Sequence, residues 1–207
     1  MKIAVHNISG KETSKKVDLS KDVFGIEPND HAIYLDVKQY LAAQRKGTHK
    51  AKERGDIKGS RRKLRKQKGS GAARVGDIKN PLFRGGGRVF GPRPRKYNFK
   101  VNKKVKRLAR KSALSYMAKG NNLIILEDFS FESIKTKSYV DFLNNFDQLQ
   151  NKTLLVLAEA NKNILLSSRN LKKSNVVLAS ELNTYDVMNA NKLMMMESAI
   201  SKIEKNF

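Results

Sequence analysis

Leu123-Ile124-Ile125-Leu126, set between Asn122 and Glu127, is the stretch on which the fold turns. Four apolar residues in succession leave no solvent-facing side in a pleated strand, so the run reads as a strand buried on both faces, as in a parallel sheet. Thr153-Leu154-Leu155-Val156-Leu157 and Val176-Val177-Leu178 read the same way, and residues 192–196, with Met194-Met195-Met196, form one more strand of adaptable core. Between these runs the apolar spacing lengthens to that of helices. Tyr139, Phe142, Leu143 and Phe146 share one face, residues 161–168 form a short helix, and Ile200, Ile203 and Phe207 line a terminal one.

Working back towards the N-terminus, Val105, Leu108, Ala109, Ala113, Tyr116 and Met117 mark a helix face opposite Lys103, Lys104, Lys106, Arg107, Arg110 and Lys111, with Gly120 as its C-cap. Asn29 or Asp30 caps an earlier helix with Ile33, Val37, Tyr40 and Leu41 on one face, which Gly47 stops. Ile3-Ala4-Val5 is a short strand signal. The class is α/β: a mostly parallel sheet with helices on both faces, plus a long basic, Gly-rich extended loop inserted between two helices. Residues 1–44 and 97–207 are expected to form the globular domain and residues 45–96 the loop.

Charge separates that loop from the rest. Residues 44–111 hold 26 Lys/Arg against three acids, Glu53, Asp56 and Asp77, a net +23 of the chain's +24. The remaining 139 residues balance 17 cations against 16 acids. Such a segment needs a polyanion, and nucleic acid gains affinity from each phosphate neutralised. Residues 45–96 also hold 10 of the 13 glycines and three of the four prolines, with no apolar period. A loop of about 50 residues is well beyond ordinary loop lengths and is usually functional or disordered when free. As two arms of about 25 residues it would reach roughly 70–80 Å. Glycine-cation clusters bring backbone N–H groups to phosphates, and Phe83, Phe90, Tyr97 and Phe99 offer rings to unpaired bases. An irregular segment of this kind suits folded RNA better than a duplex DNA groove.

The residues expected to contact RNA are Arg45, Lys46, Lys50, Lys52, Arg54, Arg61, Arg62, Lys63, Arg65, Lys66, Lys68, Arg74, Lys79, Phe83, Arg84, Arg88, Phe90, Arg93, Arg95, Lys96, Lys103 and Lys104.

Enzyme signals are weak. Gly71 to Gly76 has phosphate-loop spacing, but Asp77-Ile78 stands where Lys-Ser/Thr is required. Gly85-x-Gly87 continues to Gly91, one residue too far for a dinucleotide fingerprint. His6, His31 and His49 are dispersed and read as surface or capping residues, and Glu127-Asp128 reads as a turn or helix cap. Neither a metal nor a cofactor is expected. The chain has no cysteine, hence no disulfide framework, and no apolar run of about 18 residues. Its N-terminal apolar stretch is too short for a signal peptide. These features lead to the expectation of a soluble, cytoplasmic protein.

Three motifs in order carry a family resemblance: Gln44-Arg45-Lys46-Gly47-Thr48, then Arg65-Lys66-Gln67-Lys68-Gly69-Ser70-Gly71-Ala72-Ala73-Arg74, then Pro81-Leu82-Phe83-Arg84-Gly85-Gly86-Gly87-Arg88-Val89-Phe90-Gly91-Pro92. Together with Asn102-Lys103-Lys104 and Tyr185-Asp186-Val187, given as a C-terminal turn, they resemble the bacterial large-subunit ribosomal protein L-four family over nearly the whole chain. The resemblance implies a structural role in the large ribosomal subunit, in the cytoplasm. It implies large-subunit rRNA and neighbouring ribosomal proteins as partners, with the nascent peptide at the wall of the exit tunnel. The tip would be Lys66, Gln67, Lys68, Gly69, Ser70, Gly71, Ala72, Ala73 and Arg74, between rRNA-threading arms at 45–65 and 79–96. Leu64 stands where the family commonly has tryptophan and Ala72 where it commonly has arginine, which removes a ring and a charge. Two other readings accompany this one: an α/β RNA-modifying enzyme that clamps substrate with the basic loop, and a free regulatory binder of messenger RNA.

Overall fold

The computed structural model describes residues 1–207. In chain order the elements are β1 (Lys2–His6), β2 (Glu12–Asp18), α1 (Lys21–Phe24), α2 (Asp30–Gln44), α3 (Lys103–Lys119), β3 (Leu123–Leu126) and α4 (Thr136–Asn145). There follow β4 (Thr153–Leu157), α5 (Lys162–Ser168), β5 (Ser174–Leu178), α6 (Thr184–Asn189), β6 (Lys192–Met196) and α7 (Glu197–Lys205). The chain forms two compact units, one of Met1–Leu41 with Lys100–Phe207, the other of Ala42–Phe99.

The first unit is built on one six-stranded sheet of order β2-β1-β3-β6-β4-β5. Every pairing is parallel except β1 with β2. The expected α/β sheet is therefore present, and its unbroken apolar runs occupy the interior. β6 lies between β3 and β4, with Met194 paired to both Ile124 and Leu155. Leu155, Val156, Leu193, Met194 and Met195 have no exposed surface. Interior strands bury both faces, which is why Lys192-Leu193-Met194-Met195-Met196 carries no polar alternation. Tyr139 and Phe142 from α4 close an aromatic cluster with Phe129, Phe131 and Phe146, ring centroids 5.1–6.3 Å apart.

The edge was not legible in the same way. β2 (ETSKKVD) half-buries only Thr13 and Val17. It has too little apolar surface to signal a strand, and its lysines suit an exposed sheet edge. α1 escaped notice as well: the Ser20 hydroxyl accepts from the Asp22 N–H at 3.3 Å, and Val23 and Phe24 are buried. Tyr185-Asp186-Val187 lies in helix α6 rather than a turn, capped by the Asn183 side chain.

Two helix faces are rotated from the sequence expectation. In α2 the buried residues are Ala32, Ile33 and Asp36, while Leu41 is exposed. The cause is polar docking: Asp36 accepts from the Thr184 hydroxyl, and Tyr40 stacks on Tyr185 at 4.9 Å. Asn29, not Asp30, caps this helix, its side chain accepting from the Ala32 N–H at 2.9 Å. In α3 the expected Ala109, Ala113 and Met117 are buried, but Leu108 and Tyr116 are exposed and Ser112, Leu114, Ser115 and Ala118 are buried instead. Small side chains let this helix approach closely, and its hydroxyls bond the neighbouring chain: Ser112 accepts from the Asn29 N–H and Ser115 donates to the Val23 carbonyl.

His6 is neither a surface nor a capping residue. Its ring packs edge-on against Phe146, with Nδ1 buried and unpartnered.

Candidate nucleic-acid interface

No helix or strand lies between Gln44 and Lys103. In the unit Ala42–Phe99, order comes instead from sparse backbone bonds between two arms. Arg95 N–H donates to the Gly47 carbonyl at 3.1 Å, Ala51 to Pro92 at 3.0 Å, Arg88 to Lys52 at 2.9 Å and Leu64 to Gly76 at 2.9 Å. Each step outward along one arm is matched by a step back along the other, so the arms run antiparallel and fold back near Ser70-Gly71. Gly87 is buried between them. A Cβ there would meet the Arg54 nitrogen at 2.4 Å, so the approach requires glycine.

The three acids are what ties the cations together. Glu53 pairs with Arg93, and Asp77 with Arg54 at 2.9 Å, both across the arms. Asp56 pairs with Lys50 at 2.9 Å and also accepts from the Glu53 N–H. Bonding to Lys50 holds the Asp56 carboxyl below its ordinary value and raises the Lys50 ammonium, while Glu53 raises the Arg93 guanidinium. Residues 45–96 hold 19 Lys/Arg, and three of them are paired in this way, which leaves 16 without a protein counter-charge.

Near the two ends of this unit, Tyr97 gathers Arg45 at 3.8 Å and Arg95 at 4.7 Å from its ring centroid. Hydrogen bonding to Arg95, helped by the charge of Arg45, lowers its phenol pKa. His49 lies beside the same ring. The pairs that cross the arms were not readable in the sequence, because Arg54 and Asp77 stand 23 residues apart and Glu53 and Arg93 40 apart; the only hint was that the few acids sit among cations.

The expected contact residues are disposed unequally. Residues 58–74 are all exposed, including Arg61, Arg62, Lys63, Arg65, Lys66, Lys68 and Arg74, and so is Leu64. Arg45, Lys46, Lys50, Lys52, Arg54, Arg84, Arg88, Arg93, Arg95, Lys96, Lys103 and Lys104 are exposed too. Lys79 is not: at 7% exposure it sits under Gly59, and its carbonyl accepts from the Gly87 N–H. Phe90 is fully exposed and Phe83 partly covered.

A second concavity, about 460 Å³, opens at the carboxyl ends of β3, β4 and β6. α/β enzymes commonly bind ligands at such a place. Here its polar groups are already committed. Asp128 caps α7, accepting from the Ser198 N–H and hydroxyl, Lys202 bonds Glu159 and the Ala158 carbonyl, and Asn161 caps α5.

Residues 17–206 match the model of the ribosomal protein L4/L1 family. The chain belongs to that family. Among its relatives is the large ribosomal subunit protein uL4 of Flavobacterium johnsoniae, 59% identical over 206 residues, covering 100% of this chain and 99% of the relative. The uL4 proteins of Amoebophilus asiaticus and Phocaeicola vulgatus are 56% and 59% identical, each with 98% or more of both chains covered. In this L4/L1-family chain no helix is long and apolar enough to cross a membrane.

Proposed function

We propose that this chain is a structural, non-catalytic constituent of the large ribosomal subunit, located in the cytoplasmic ribosome, that binds large-subunit rRNA and supports assembly. The observation that carries the reading is the 16 unpaired cations of residues 45–96, on arms with almost no apolar burial. The family and the full-length similarity to uL4 proteins support it.

In this reading residues 45–96 are the rRNA-penetrating element and residues 1–44 and 97–207 the globular anchor. Arms 45–65 and 79–96 thread rRNA, and the tip from Lys66 to Arg74 lines the nascent-peptide exit tunnel, where the peptide and neighbouring ribosomal proteins are further partners. α3 adds Lys103 and Lys104 in its first turn, with no acid there. Cations at a helix N-terminus oppose its dipole, and a bound phosphate reverses that penalty. The committed polar groups of the strand-end concavity favour this reading over an RNA-modifying enzyme.

The test is sedimentation of native extract on a sucrose gradient before and after a high-salt wash. Co-migration with large subunits that survives the wash is expected. Recovery as free protein after washing would return the chain to the free-regulator reading, and selectivity for one messenger over bulk RNA would then establish it.

A further inference from the structure

Of the four rings in the basic unit that offered themselves to bases, Phe90 alone has no protein neighbour over it. Tyr97 already carries the guanidiniums of Arg45 and Arg95, Phe99 is half-buried and Phe83 is partly covered. Phe90 also stands at φ +52°, one of only three non-glycine residues with positive φ. An exposed aromatic in the left-handed region has exchanged easier backbone conformations for a fixed direction in solvent, and such outliers gather at ligand-contacting positions.

The turn that holds it is braced on both sides. Before it, the Arg88 N–H donates to the Lys52 carbonyl at 2.9 Å; after it, the Pro92 carbonyl accepts from the Ala51 N–H at 3.0 Å. Gly91 fits only as glycine, since a Cβ would lie 2.7 Å from the Ala51 methyl and 2.9 Å from Arg88 Cγ. Val89 and Phe90 therefore project from a bracket fixed to the opposite arm, of which Gly91 is part.

Beside the ring is a concavity of about 630 Å³, lined by Glu53, Arg54, Arg88, Phe90 and Arg93 with their neighbours. That lies within the range of small-ligand sites, about 300–1,000 Å³. Arg54 and Arg93 are held by Asp77 and Glu53, whereas Arg88 makes no ion pair. An exposed ring on a braced backbone, beside one free guanidinium and two paired ones, matches the two parts of a nucleotide, a π face and a phosphate.

We propose that Phe90 and Arg88 form a single-nucleotide site, in which an unpaired RNA base stacks on the Phe90 ring and its phosphate pairs with Arg88. The site rests on the rRNA-binding reading above and sharpens it: most cations of the unit contact phosphate anywhere along the path, while this bracket selects a base that is out of the helix. A paired base, stacked on both sides, offers no face to the ring.

The test uses large subunits isolated from cells whose only copy of the chain is wild type, Phe90→Leu, Phe90→Tyr or Phe83→Leu. After a high-salt wash, the chain is quantified and 2′-hydroxyl acylation is read along the large-subunit rRNA. Phe90→Leu is expected to raise reactivity several-fold at one unpaired nucleotide, with Phe90→Tyr restoring the wild-type level and Phe83→Leu leaving that nucleotide unchanged. An unaltered profile in Phe90→Leu, or changes confined to paired nucleotides, would overturn the site while leaving the ribosomal reading intact. Absence of the wild-type chain from washed subunits would instead remove that reading, and the site with it. If Phe90→Leu does not enter subunits, purified full-length chains are titrated with single-stranded oligouridine carrying one 2-aminopurine. Quenching by wild type and Phe90→Tyr but not Phe90→Leu supports the site, and equal quenching by all three overturns it.

Discussion

In the unit of Met1–Leu41 with Lys100–Phe207, whole strands disappear from solvent: β4 is buried at every position, and Tyr139, Phe142 and Ile125 are at or below 1% exposure. In the unit Ala42–Phe99, only Lys79 and Gly87 are buried. The first is held by removal of apolar surface from water, a force that needs no partner. The second has no core, and its order rests on a few backbone bonds between arms, three acid-cation pairs and the Tyr97 cluster. Exposed ion pairs stabilise weakly, so this unit lacks the source of stability that holds the first. One chain thus carries a unit with its own core and a smaller unit without one.

The comparison breaks first in the core. Ile125→Ala removes a fully buried side chain from β3 and is expected to cost about 2–5 kcal/mol of stability. Its effect on RNA affinity measured below the melting temperature should be nil. A comparable loss of RNA affinity would show that the two halves are not independent in this respect.

A pH titration sharpens the same contrast. Burial pushes the Tyr139 phenol up to about 12, although the Ser174 hydroxyl donating to it at 2.9 Å acts the other way. A raised folded-state pKa contributes stability that is complete below the unfolded value of about 10 and is lost as pH rises towards 12. The loss across that range is about 3 kcal/mol. Denaturant melts of wild type should therefore weaken between pH 10 and 12 more steeply than those of Tyr139→Phe. In the basic unit the sign reverses: the depressed Asp56 carboxyl contributes above the ordinary carboxylate range and is lost only as pH falls through its lowered value.

The smallest expected effect is the most discriminating. If the basic unit acted by net charge alone, Glu53→Gln would tighten RNA binding by deleting an anion. Because Glu53 holds Arg93 across the arms, the variant should bind about twofold to fivefold more weakly at constant salt. Tighter binding would contradict the stapling role.

What the sequence revealed follows the same division. β4 and β6 were legible residue for residue, because an interior parallel strand is a continuous apolar run. β2 was not, since an edge strand of Thr, Ser and Lys satisfies its backbone on one side and buries almost nothing. The α2 face was misjudged because its docking depends on Asp36 and Tyr40 meeting Thr184 and Tyr185, a pairing of distant residues that no local period records. In the basic unit the cations and aromatics were plain from composition. Their distribution into exposed Arg61, buried Lys79 and free-standing Phe90 depends on how two arms close over Gly87, which only the folded chain displays.

If residues 58–90 provide the hold on RNA and the sheet provides the fold, removing that segment separates the two. The most direct measurement compares the full chain with a variant lacking residues 58–90, reading both thermal unfolding and retention in large subunits after a high-salt wash. The account predicts a cooperative melt close to that of the full chain, with retention lost. Retention of the shortened chain at the full-length level would contradict it.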